Sequence, residues 1–285
     1  MSAALELDAL LHDSLAALSL PDVYLRLREV MESDDSSMAD AAKVLSMDAA
    51  LAARVLRIAN SPVFGFRSQV ETVSRAASIL GMQEIHNLAL AASVSHAVEG
   101  LHNELMDLNT FWYRSVHCAF LAKAIAEGAN LRHAESLFIR GLLHDIGHLL
   151  LFTHFPEKSR AALASSDQGL QARLKAENEL MGINAIDLVA QLGRNWGLPN
   201  TFVESFEHLL DPHQAPKAIV RETAILHIAV QISCGLDSDL LIEQILEKIP
   251  NEIWQLAELP PEVGNAALEA STLEMVDAMY QTLSQ

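Results

Sequence analysis

The stretch GLLHDIGHLLL, residues 141–151, decides how this chain is read. It is apolar apart from two histidines and one aspartate, and the helical period runs through it over 133–153. His144 and Asp145 are adjacent, and an imidazole nitrogen and a carboxylate oxygen can both ligate one divalent transition-metal ion. His148 follows His144 by four residues, on the same face of a helix, and is a candidate further ligand. The plainer alternative makes His144 and Asp145 polar groups hydrogen-bonded inside a helix junction.

Outward from this stretch, apolar residues recur at helical spacing and strand-like alternation does not. In 48–60, Leu51, Val55, Ile58 and Ala59 fall on one helical face, with Asp48 as N-cap and a stop at Asn60-Ser61-Pro62. Residues 63–69 read as a loop whose two phenylalanines pack inward, and 70–78 and 82–98 as helices separated by a Gly81 C-cap. The polar, irregular run from Glu99-Gly100 to Asn109 marks a lobe boundary, placed at 105/106. Helices follow over 110–127, 133–153, from Pro156, and over 168–180, 183–196 and 199–209, with Trp196-Gly197-Leu198-Pro199 as a helix stop carrying a buried aromatic. Further helices are expected over 217–235 and 239–248, and one or two over 261–283. The fold class is all-α.

Composition narrows the function. Half of the 285 residues are hydrophobic (51%), so a sizeable core can form. The formal charge of −18 repels phosphate backbones, which argues against nucleic-acid binding, and no basic patch offsets it. Cys118 and Cys234 lack metal-ligand spacing and read as small packed side chains. The opening MSAALELDALLHDSL is not expected to be a signal peptide, and no stretch reaches the roughly 20 apolar residues of a membrane span. A cytoplasmic protein is expected. No receiver or sensor domain is apparent, so a signal is expected to arrive by binding or through operon partners.

Taken in order, SMDAALAARVLRIANSPVFG (46–65), VSRAASILGM (73–82), FWYRSVHCAFLAKAIAE (111–127), GLLHDIGHLLL and GINAIDLVAQLGRNWGLP (182–199) resemble the HDOD family, a branch of the HD phosphohydrolase superfamily related to HD-GYP domains. The resemblance begins at Leu20-Pro21 and covers roughly 20 to 230. It implies an HD-domain-like helical bundle preceded by an N-terminal helical lobe, here 1–105 and 106–285, and a bacterial signalling role.

It also implies a metal held by a His on an early helix, the HD pair, and an Asp on a later helix. The pair stands here as His144-Asp145, but the early position falls on Arg114 and the later one on Val230. His117 and His227 lie three positions from those places, nearly a turn away. The lysine that follows HDIG in HD-GYP enzymes is His148, the histidine early in 183–196 is Ala185, and the histidine pair after WGLP is His208-Leu209. The site therefore reads as degenerate, with no catalytic residue assigned. Arg114 either forms a bidentate pair with Asp145 in place of a metal or is a surface arginine at a helix start. Trp112 either packs between the lobes or shields the HD pair. His12, His86, His96, His102, His133, His154 and His213 show no ligand spacing.

The leading expectation is a non-catalytic regulatory module that binds a protein signalling partner or a small molecule, without nucleic acid or membrane. The rival is a metal-dependent phosphohydrolase acting on a nucleotide or cyclic dinucleotide. A third is a scaffold whose contacts lie in the helices after about 240.

Overall fold

The structure, a computed structural model, describes residues 18, 20–33, 35–61, 64, 66, 68–101, 103–132, 134–164, 169–236 and 240–283, with the backbone alone at Leu273 and Leu283. The expectations for the opening fifteen residues, Pro62, His12, His102 and His133 lie outside it. The regular structure of the described residues is all helix, with no strand. The chain divides into two units, one of residues 18–100 with the closing helix, the other of residues 101–272.

The first unit holds α1 (Asp22–Glu32), α2 (Met38–Leu45), α3 (Ala49–Ala59), α4 (Val73–Leu80), α5 (Met82–Val98) and α17 (Leu273–Leu283). Asp48 caps α3 as expected, its carboxylate accepting from the N–H groups of Ala50 and Leu51, and Leu51, Val55, Ile58 and Ala59 are all buried. Ser37 and Asp40 form a capping box on α2. Gly81, at φ +86°, turns the chain between α4 and α5. α5 is buried on nearly every face, Ser93 and Ser95 included, and is the centre on which α1, α3 and α4 pack. Phe64 and Phe66 stack on each other at 6.2 Å and are half-buried rather than sunk in the core.

The second unit holds α6 (Leu108–Gly128), α7 (Ala134–Leu143), α8 (Ile146–His154), α9 (Pro156–Leu163), α10 (Leu170–Met181), α11 (Ala185–Asn195), α12 (Asn200–Glu207), a short 3-10 turn (Pro212–Gln214), α13 (Val220–Leu236), α14 (Ile242–Lys248), α15 (Asn251–Ala257) and α16 (Glu262–Ala270). α6 starts earlier than expected because Asp107 caps it, accepting from Asn109 N and Thr110 N. It is the axis of this unit, covered by α7, α13 and α16. Trp196 is buried at the end of α11, where Leu198 N bonds Gly193 O and Gly197 N bonds Arg194 O around a left-handed Gly197. These two bonds make a Schellman motif, as the WGLP reading required.

Further expectations are corrected. The run 133–153 is not one helix: it breaks at His144-Asp145, and apolar residues on both sides keep the period unbroken through the turn. The closing helix α17 packs on α3 in the first unit instead of extending the second, and the division falls at Gly100/Leu101 rather than 105/106. α15, capped by Pro250 in an extended conformation, is an additional helix.

Candidate functional site: the buried HD turn

Two glycines let the backbone come close enough to build this site. A Cβ at Gly141 would lie 2.8 Å from Ala119 Cα, so α7 approaches α6 directly there. A Cβ at Gly147 would lie 1.9 Å from Ala185 O, so α8 meets the start of α11 backbone to backbone. Between them the chain turns through His144 and Asp145, both buried. His144 Nδ1 donates to Gly141 O at 2.6 Å, which leaves Nε2 with the lone pair. Burial pushes the imidazole pKa down against the pull of the Asp145 charge, so His144 is neutral.

Asp145 Oδ1 accepts from His148 Nδ1 in the first turn of α8, and Oδ2 faces Arg114 Nη2 on α6 at 3.9 Å. Burial acts to raise the Asp145 pKa, but the charges of His148 and Arg114 outweigh it and hold the carboxyl well below the usual range. Arg114 thus comes to the pair, as one of its two readings required, yet as a single long ion pair and not a bidentate fork.

His148 Nε2 lies 3.0 Å from Glu177 Oε1, and its ring stacks on Phe152 at 5.8 Å. Glu177 Oε1 also takes the Nε–H of Arg173 at 3.1 Å, and Oε2 takes the N–H of Ala185 at 2.9 Å. The Arg173 guanidinium lies 5.4 Å over the Phe152 ring. Burial and the Arg173 charge press the His148 pKa down, but Glu177 and Asp145 together bring it above its ordinary value. Burial raises Glu177, while the His148 charge and the bonds it accepts leave it lowered. Three cations, Arg114, His148 and Arg173, therefore alternate with two anions, Asp145 and Glu177.

The other candidates stand apart. Trp112 is buried, edge-on to Phe111 at 4.9 Å. His117 is half-buried, its pKa lowered by burial, and among the described residues it makes no hydrogen bond or ion pair with the HD turn. His227 Nδ1 donates to Leu209 O at 2.7 Å, and burial lowers its pKa too. Val230 is buried on α13. Arg173 and Glu177 escaped the sequence reading, although they share the buried face of α10 with Leu174 and Met181, and charges on an apolar stripe call for partners. Arg140 is a further buried cation, donating to Ser205 Oγ at 2.9 Å and Glu222 Oε2 at 3.1 Å.

These side chains do not fit a divalent cation. Among the described residues no three His, Cys, Asp or Glu side chains are grouped to hold one. One Asp145 oxygen is bonded to His148 and the other faces a guanidinium, so an incoming cation would meet two positive charges.

Asn60 has a structural task. Its Nδ2 donates to Leu56 O and Val70 O at 2.7 and 2.8 Å, and its Oδ1 accepts from Val70 N at 2.7 Å. Beside it lies an open groove of about 620 Å³ lined by Arg57, Ser61, Gln69, Glu71 and Thr282 among others, where Ser61 Oγ is buried and, among the described residues, has no hydrogen-bond partner.

Among the described residues no helix is long and apolar enough to cross a membrane. The chain is similar to a protein of Shewanella amazonensis, a phosphohydrolase by assignment only, at 27% identity and a TM-score of 0.74 over 96% of this chain and 98% of that one. A Geobacter sulfurreducens HDOD domain protein of unknown function shares the fold, with 19% identity, a TM-score of 0.74, and 99% of both chains covered. An uncharacterized protein of Treponema pallidum (strain Nichols) is 25% identical over 233 residues, 79% of this chain, which spans only 44% of that relative's length. The HDOD domain family model matches residues 18–212, well over half of the chain, and the protein belongs to that family.

Proposed function

We propose that this chain is a non-catalytic regulatory module of bacterial cytoplasmic signalling, acting by binding a protein partner or a small molecule. The observation that carries this reading is the HD turn, where Arg114 and His148 occupy the carboxylate that a metal would need. A metal-hydroxide mechanism needs a cation held by enough ligands to acidify bound water, and the donor set here does not supply them. The formal charge of −18 favours a protein partner with a basic or neutral face over nucleic acid.

The rival reading, a metal-dependent phosphohydrolase acting on a nucleotide or cyclic dinucleotide, draws on the assignment of the Shewanella amazonensis neighbour at 27% identity. Assays with generic phosphomonoester and phosphodiester substrates and a cyclic dinucleotide, with and without manganese, separate the two. The expected result is turnover no greater than that of His144→Ala or Asp145→Ala. Manganese-dependent turnover lost in both variants would establish the enzyme.

A further inference from the structure

Arg114, Asp145, His148, Glu177 and Arg173 run through the interior of residues 101–272 as a continuous row of alternating charge. Two buried carboxylates need counter-charge, because an unpaired ion inside a protein costs several kcal/mol. In a metal centre the cation provides that charge and also ties together the elements that bear its ligands. Here both functions have a candidate in His148. Its Nδ1 is bonded to Asp145 Oδ1, and its Nε2 lies 3.0 Å from Glu177 Oε1. The Nε2 approach is an ion-pair contact without hydrogen-bond alignment, and because ionised carboxylate oxygens only accept, a ring placed against two of them is favoured with a proton on each nitrogen. The second oxygen of Glu177 takes the N–H of Ala185, so the row ends on the first turn of α11. Arg114 and Arg173 close the two ends.

We propose that this ion row is an internal replacement for a metal ion, in which the imidazolium of His148 joins Asp145 to Glu177 and fastens α8, α10 and α11 around the HD turn. The inference rests on the metal-free reading of the turn and not on what the domain binds. Its alternatives are a His148 that serves as a metal ligand and a neutral His148 that serves as packing.

The test uses the full chain with three proteins: wild type, His148→Gln and His148→Lys. Lysine keeps a positive charge between the carboxylates but offers no imidazole, whereas glutamine keeps hydrogen bonding without charge. Removing one partner of a buried ion pair costs enough to lower the thermal midpoint of a domain this size by about 10 °C, and that is the expected shift for His148→Gln. His148→Lys is expected to lose less than half as much, and the wild-type midpoint to be the same in EDTA and in manganese or zinc. Equal tolerance of glutamine and lysine overturns the proposal. So does stoichiometric manganese or zinc binding by wild type that His148→Lys abolishes.

A measurement on wild type alone holds even if neither variant folds. Nitrogen-15 spectra of histidine-labelled protein at neutral pH should show both ring nitrogens of His148 protonated. A deprotonated ring nitrogen there overturns the proposal. Phosphodiester turnover would defeat the functional reading without moving that spectrum, so the two failures are distinguishable.

Discussion

Gly147 and Ala185 touch backbone to backbone: a Cβ on the first would lie 1.9 Å from the carbonyl oxygen of the second. The obstacle is main chain in the first turn of α11, not the end of a flexible side chain, so relief requires α8 and α11 to separate. Overpacking of this kind costs typically up to ~3 kcal/mol and occasionally more. Gly147→Ala is expected to reach that upper value, seen as a lower urea midpoint with unchanged dependence on denaturant. A midpoint within error of wild type would show that the two helices part easily.

Asn60 acts as a side-chain peptide group, bonding both the N–H and the C=O of Val70. Asn60→Ala removes three hydrogen bonds at once and is expected to cost about 3 kcal/mol, since each contributes about 1 kcal/mol net. Asn60→Asp keeps the acceptor for Val70 N but places a second acceptor against two carbonyls, and should cost at least as much. Equilibrium unfolding of the two variants decides, and a more stable aspartate variant would contradict the assignment of donor and acceptor.

His86 is buried, stacks on Tyr24 at 5.3 Å, and its Nε2 accepts from the Tyr24 hydroxyl at 3.0 Å. Burial, with the nearby Arg28 charge, lowers its pKa from 6.5 to about 4. The unfolded chain therefore binds the proton first as pH falls. Stability from this group is complete above pH 6.5, declines below it, and levels off near pH 4. Over that window wild type should lose about 3 kcal/mol relative to His86→Gln, which accepts the same hydrogen bond without titrating. Parallel stability curves for the two proteins would remove His86 as the cause.

Arg140 is buried with its guanidinium 4.7 Å over Phe202 and bonded to Glu222. Arg140→Met should destabilise by about 2 kcal/mol because it removes a charge-assisted bond from the half-buried Glu222 carboxylate and one bond from Ser205, whose hydroxyl keeps its bond to Thr201 O. Adding Glu222→Gln should recover part of the loss, since it removes the half-buried carboxylate left without its counter-charge. A double variant as unstable as the sum of its parts would show that Glu222 is not the group left stranded.

Much of the fold was legible in the sequence, and the illegible parts have physical causes. α3 could be read from Asp48 to Asn60 because its cap, its apolar stripe and its stop are all local. The break at His144-Asp145 could not, because the turn is held by His144 bonding Gly141 and by the packing of Gly147 on Ala185. Arg114 could be placed beside Asp145 from its position in the motif, but its long single contact depends on distances no sequence carries. His148 is a candidate ligand on sequence because it follows His144 by one helical turn, and only the fold brings the distant Glu177 carboxylate to its second nitrogen. The return of α17 to α3 is a long-range pairing with no local signal.

The bonds between Asn60 and Val70 define the two ends of the segment 61–69 independently of its contents. Both atoms of the Val70 peptide that Asn60 engages are main chain, so any sequence of suitable length could return to the same anchor. α3 and α4 would keep their places while the intervening residues changed. Such a fastening separates the part of the chain that must be preserved from the part beside the groove that is free to diversify, and so lets one helical frame carry many different surfaces.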